Sequence, residues 1–171
     1  LTSDQREKAL PYLMYLKEKR CGTIKARGCA DGRKQRVYIN KEDASSLTVS
    51  LAALMLTCVI EAHEGRDVAI VDIPGAFLQT KQPDDEEVHI MLDGRMAELL
   101  AKVDPETYQK YVHKYRGQSM IYVKLKKALY GTLKGAILFW KKLTRSLKKD
   151  GFTINPYDWC VANKIVNGKQ C

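Results

Sequence analysis

Arg66-Asp-Val-Ala-Ile-Val-Asp-Ile-Pro-Gly-Ala-Phe-Leu-Gln-Thr80 is the stretch on which the reading of this chain turns. Val68 to Val71 is an unbroken apolar run with charge before it and a Pro-Gly break after it, a pattern that predicts a buried central strand. Asp72 closes that strand, and a carboxylate there emerges at a sheet edge, where metal or phosphate chemistry is commonly placed. Asp72 and Phe77 would then face one cleft. On local pattern alone, a single Asp after an apolar run is more often a turn or N-cap residue. A phosphatase-like aspartyl nucleophile usually has a second carboxylate two residues on, and position 74 is Pro.

Outward from this segment the chain reads as one mixed α/β domain. Upstream, Leu47, Leu51, Leu54, Met55, Cys58, Val59 and Ala62 recur at helical spacing, with Ser45 or Ser46 as cap and Gly65 as stop. That helix is expected to pack its apolar stripe under the sheet carrying Asp72. Downstream, Asp104-Pro105 opens a helix running to about Tyr115. Leu133, Ala136, Trp140, Leu143 and Leu147 form the buried stripe of another helix, ended by Gly151; Lys134, Lys141, Arg145 and Lys148 follow the same period on a different face. Ile121, Val123 and Leu125 alternate as a strand, and Arg36 to Ile39 is a candidate strand. Cys160 to Val166 reads as a strand running into an Asn167-Gly168 hairpin turn.

Composition and charge narrow the function classes. The 171 residues suffice for one domain with a sizeable core, and 45% hydrophobic with 29% charged residues suits a soluble globular protein. No apolar run approaches the roughly 20 residues of a membrane span, so no membrane partner is expected. Residues 17–41 hold nine Lys/Arg against Glu18 and Asp31, and residues 114–149 hold eleven with no acid. Two basic blocks flanking the Asp72 segment suit a polyanion, since each neutralised phosphate releases condensed counterion. For any single Lys, a solvated helix face is the simpler reading. The cysteines at 21, 29, 58, 160 and 171 lack the paired short spacing of a zinc site and point to free thiols in a reducing compartment. His63, His89 and His113 are scattered and read as surface residues. The opening Leu1-Thr-Ser-Asp is neither a signal peptide nor a Met start, and reads as an excised or degraded piece.

Three boxes in order carry a resemblance. They are Asp72-Ile-Pro-Gly-Ala-Phe-Leu-Gln79, then Lys124-Leu-Lys-Lys-Ala-Leu-Tyr-Gly-Thr-Leu-Lys-Gly-Ala-Ile-Leu-Phe-Trp140, then Gly151-Phe-Thr-Ile-Asn-Pro-Tyr-Asp-Trp-Cys160. With Ala26-Arg27-Gly28 upstream, they resemble the reverse transcriptase of copia-type LTR retrotransposons, with its D-x-x-x-A-F-L, K-x-L-Y-G and G-F-x-x-x-x-x-D-x-C boxes. The likeness covers the chain from about residue 10. It departs at Thr132-Leu-Lys-Gly-Ala-Ile137, which lacks the Gln and Pro common in the family.

The resemblance implies a fingers and palm portion of a right-hand polymerase, with fingers-like residues at about 10–42. Residues from about 43 to 171 would be mainly palm, an antiparallel sheet packed on helices. It implies RNA-directed DNA synthesis by two-metal nucleotidyl transfer to a primer 3′-hydroxyl, with Mg²⁺ (or Mn²⁺) as cofactor. Asp72 would be catalytic and, with Ile73, metal-bearing. Phe77, Tyr130, Gly131, Lys25 and Arg27 would bind nucleotide, and Lys134, Lys141, Arg145 and Lys148 nucleic acid. Expected partners are an RNA or DNA template with primer, deoxynucleoside triphosphates and other segments of a polyprotein. The expected setting is intracellular, in cytoplasmic virus-like particles and also the nucleus. No Asp-Asp pair stands at a strand turn, so the chain is expected to stop before the box holding the remaining carboxylates and to be inactive by itself. The alternative reading is a non-catalytic nucleic-acid-binding remnant of a decayed transposon.

Overall fold

The computed structural model describes residues 1–44 and 47–170, so the proposed caps Ser45 and Ser46, and Cys171, lie outside the described residues. The chain opens with a short helix, α1 (Ser3–Lys8), closed at its start by a reciprocal Thr2–Gln5 capping box. Strands β1 (Leu10–Glu18) and β2 (Ile24–Ala30) then form a long antiparallel hairpin, with Leu13 opposite Cys29 and Lys17 opposite Lys25. A 3-10 helix at Gly32–Val37 and a short helix α2 (Lys41–Ala44) lead to α3 (Leu51–Glu64).

The main sheet is completed by later segments. Strand β3 (His89–Asp93) runs into α4 (Gly94–Val103) and a short α5 (Pro105–Tyr108), and then β4 (His113–Tyr115) and β5 (Gln118–Lys124) form a hairpin. The strand order is β2-β1-β3-β5-β4. β1 pairs parallel to β3, Leu10 opposite Ile90, and the other pairs are antiparallel. This is a mixed five-stranded sheet, not the wholly antiparallel one expected.

One face of the sheet makes the core. Leu10, Ile90 and Ile121 are fully buried there, each stabilising the fold by about 1.5–3 kcal/mol relative to exposure. α4 covers this face, burying Ala97 and Ala101 and setting Met96 and Leu100 against the cluster. These four positions fall on one side of a 3.6-residue helix, and the two alanines let its backbone approach closely. Last come α6 (Gly135–Lys149) and the short strands β6 (Thr153–Ile154), β7 (Ala162–Asn163), β8 (Ile165–Val166) and β9 (Lys169–Gln170), paired β6 with β7 and β8 with β9.

Several expectations hold. Gly65 takes a left-handed conformation (φ 62°) and ends α3, as a C-terminal glycine should. α6 ends at Lys149 with Gly151 just beyond (φ 85°), and its Ala136, Trp140, Leu143 and Leu147 are half-buried, not buried, while Lys141, Arg145 and Lys148 are exposed; Leu133 lies ahead of the helix, which begins at Gly135. Asn167 and Gly168, both at positive φ, make the turn joining β8 to β9. Asp104 caps α5 by accepting from the Thr107 N–H at 3.1 Å.

Others are corrected. Val68 to Val71 is not a strand, and Val68, Ile70 and Val71 are 63%, 97% and 81% exposed. No described strand lies beside this run, and without a partner an apolar run has no ladder to join. For the same reason α3 buries none of its residues; it begins at Leu51, capped by Ser50, and leaves Leu47 outside. The helix after Pro105 stops at Tyr108, because His113 to Tyr115 pair with β5 across an Arg116-Gly117 turn at positive φ. Arg36 to Ile39 is no strand. Asp31 caps a 3-10 helix there by accepting from the Arg33 N–H, and the buried Gln35 side chain accepts from the Leu133 N–H at 2.8 Å. Cys160 to Val166 breaks at Lys164 into two short strands.

Candidate nucleotide and nucleic-acid site

Three of the segments singled out in the sequence meet around one aromatic pair. Phe77 sits in a 3-10 turn, Phe77–Gln79, and its ring stacks on Tyr130 with centroids 4.5 Å apart and planes 27° from parallel. Phe139 of α6 joins them at 6.1 Å from Phe77. Such offset pairs contribute about 0.5–1.5 kcal/mol beyond area burial. A short backbone ladder ties the same two segments. The Ala128 N–H donates to the Thr80 carbonyl at 2.9 Å, and the Gln82 N–H to the Lys126 carbonyl at 3.0 Å.

The Tyr130-Gly131 pair is then keyed to the end of β2. The Ala30 N–H donates to the Tyr130 carbonyl at 2.7 Å. Gly131 stands at φ 86°, where a Cβ would lie 2.0 Å from the Ala30 carbonyl oxygen. Gly32 meets it from the other side, since a Cβ there would lie 2.2 Å from the Gly131 oxygen. Glycine is required at 131 for both conformation and space. Lys142 of α6 donates to the Gln79 carbonyl at 2.5 Å, fixing the helix against the same turn.

Lys25 and Arg27 project from one face of β2, and the antiparallel register sets Lys17 opposite Lys25 and Tyr15 opposite Arg27. All four are exposed. Like charges directly opposite one another destabilise a strand pair, so this cationic patch with an aromatic beside it is costly to the fold and suited to an anion. Lys17 and Tyr15 were not singled out from the sequence; the lack of alternation in Leu-Pro-Tyr-Leu-Met-Tyr-Leu16 hides β1. Along a strand rising about 3.3 Å per residue, Arg27 lies roughly 10 Å from the Ala30 junction and Lys25 roughly 17 Å.

On α6, Lys141, Arg145 and Lys148 form an exposed basic stripe. Lys134 precedes the helix and is engaged, its ammonium 2.6 Å from Glu86. The acidic run after Pro83 therefore partly neutralises the basic blocks, because Glu87 likewise pairs with Lys124. Asp158 of the third box accepts backbone N–H bonds from Ser50 (2.8 Å) and Cys160 (2.9 Å), which hold its carboxyl below the usual range. Trp159 stacks on Trp140, with centroids 6.3 Å apart. These contacts make the third box a clamp between α3, α6 and the C-terminal strands.

Asp72 is exposed and Ile73 half-buried, both in the irregular segment ahead of the Phe77 turn. Among the described residues no three His, Cys, Asp or Glu side chains gather to hold a metal ion. Mg²⁺ prefers an octahedral set of hard oxygens, of which Asp72 by itself would supply only a part. The four described cysteines, 21, 29, 58 and 160, are free thiols. No helix among the described residues is long and apolar enough to cross a membrane. No protein-family model, curated protein or solved structure matches the chain.

Proposed function

We propose that this chain is the nucleotide- and template-binding part of a copia-type reverse transcriptase, with fingers-like residues in the β1–β2 hairpin and palm residues beyond. The observation that carries the reading is the Phe77–Tyr130 stack. It joins the Asp72 box to the Tyr-Gly box, and the Tyr-Gly box in turn to the base of the cationic hairpin. Two sequence boxes about 50 residues apart, each suggested by the resemblance, thus adjoin one another. In this reading Phe77 and Tyr130 line the nucleotide pocket, Lys25 and Arg27 reach the triphosphate, and Lys141, Arg145 and Lys148 track the nucleic-acid backbone. Asp72 is one metal-bearing carboxylate. Mg²⁺ or Mn²⁺, held with further carboxylates, would activate the primer hydroxyl and neutralise the leaving pyrophosphate. Template with primer and deoxynucleoside triphosphates are the partners, and other polyprotein segments accompany the chain.

The second reading, a nucleic-acid-binding remnant without catalysis, is compatible with the finding that among the described residues no three His, Cys, Asp or Glu side chains gather to hold a metal ion. Both readings require the basic surface. We expect the purified chain to bind a primer–template duplex with log K falling linearly against log salt and with little sequence preference, because phosphate contacts carry no base information. Replacing Lys141, Arg145 and Lys148 by Gln should reduce that slope by about 3; an unchanged slope would remove α6 from the interface, and a flat plot for the parent chain would remove nucleic acid altogether. To separate the readings, Asp72→Asn is placed in a longer chain that also carries an Asp-Asp segment. Loss of primer extension with duplex binding retained marks the polymerase, and undiminished extension removes Asp72 from catalysis.

A further inference from the structure

The sheet face opposite the α4-covered core carries a second cluster, independent of the Phe77 site. The register sets His89 opposite Lys124, with Tyr122 two residues along and His113 opposite Met120, so these side chains share one face. Leu1, Arg6 of α1 and Tyr111 from the turn before β4 line the same pocket. The half-open pocket they line is about 300 Å³, at the small end of the range for small-molecule sites.

Its chemistry is one-sided. Every polar side chain lining it is a cation, an imidazole or a phenol, and no carboxylate is among them. Glu87 stands just outside, its two oxygens taken by Lys124 and by the Gln5 amide. His89 is only 8% exposed as a residue and lines this pocket. Burial pushes its pKa down. On the wall of an open pocket, this imidazole is free to bond a ligand in place of solvent.

We propose that this cavity is a binding site for a small phosphate monoester. Arg6 supplies charge, with Lys124 sharing its ammonium between Glu87 and the ligand, His89 and His113 supply imidazole N–H groups, and the phenols of Tyr111 and Tyr122 supply further donors beside an aromatic wall for the ester's organic group. Arg6 is the natural clamp, because its planar guanidinium matches a phosphate in a two-pronged contact.

The test uses the whole chain, phenyl phosphate as probe and phenol as its uncharged counterpart, in buffer at physiological salt. Titration followed by NMR should give a saturable isotherm in which the His89 and His113 imidazole resonances move, while phenol moves neither. Arg6→Gln should weaken binding about tenfold, in line with loss of one charged hydrogen-bonded contact. Arg6 is exposed on a short helix, so the variant should fold. Tyr122→Phe gives a second reading through loss of a single hydroxyl, with a smaller weakening expected. The proposal is overturned if no saturation occurs, if both variants bind like the parent, or if the shifts fall on α6 instead of the His89 face.

Discussion

Gly131 shows how a residue suggested by resemblance acquires a physical role. Its left-handed φ and the 2.0 Å approach of the Ala30 oxygen leave no room for any side chain. Gly131→Ala should therefore cost more than the roughly 1–3 kcal/mol of backbone strain alone, since backbone and not a flexible side chain stands in the way. Urea unfolding would measure it, and a loss below 1 kcal/mol would show that the Tyr130–Ala30 junction is loose. At this scale the sequence was informative where geometry is local. The Tyr-Gly pair was singled out and does occupy a constrained junction, and Phe77 and Tyr130 do meet. The buried bond from the Leu133 N–H to Gln35, 98 positions away, and the Arg27–Tyr15 pairing left no local signal, because each depends on a distant segment.

Among elements, the third box behaves as a pH-sensitive clamp. Asp158 accepts N–H bonds from Ser50, at the start of α3, and from Cys160, and these depress its pKa. A carboxylate with a depressed folded pKa stabilises above its unfolded value near 3.8 and loses that contribution as the pH falls through the lower folded value. Acidification below about pH 4 should therefore release α3 from the C-terminal segment, seen as a change in tryptophan fluorescence from Trp159 next door. In Asp158→Asn that acid transition should disappear; if it persists unchanged, another carboxylate holds the clamp. Elements with their own punctuation were legible, namely α6 with Gly151, the end of α3 at Gly65, and the Asn167-Gly168 turn. The Val68–Val71 run was misread because an apolar pattern reports a preference for burial and does not say whether a neighbour is present to provide it. β1 and β3 carry no regular alternation, and they and α4 are fixed by pairing and packing with segments far along the chain, which leaves no local signal.

As a whole molecule the chain is unusually open. Its accessible surface is 13127 Å², whereas a compact monomer of 19.4 kDa should expose roughly 8,500 Å². Large apolar side chains are part of that surface: Leu51, Leu54, Met55, Leu56 and Val59 on α3 are 47–68% exposed, and Val68, Ile70 and Val71 follow soon after in the chain, also bare. Monomers rarely show contiguous apolar patches beyond a few hundred Å². The purified chain should accordingly bind a hydrophobic dye such as ANS and self-associate with rising concentration, both reduced by Leu54→Lys with Val59→Lys. Sedimentation as a monomer at all concentrations, with no dye binding, would mean that this surface folds away in solution.

The parallel pairing of β1 with β3 has a consequence for synthesis. Leu10 reaches full burial only beside Ile90 and Ile121, so the heart of the sheet waits for residues far along the chain. On a ribosome adding about 5–20 residues per second, the β1–β2 hairpin is complete several seconds before β3 exists, and longer before β5. An isolated hairpin is at best marginally stable in water. The β1–β2 segment thus emerges without its fold and must be kept from wrong partners until β3 and β5 arrive.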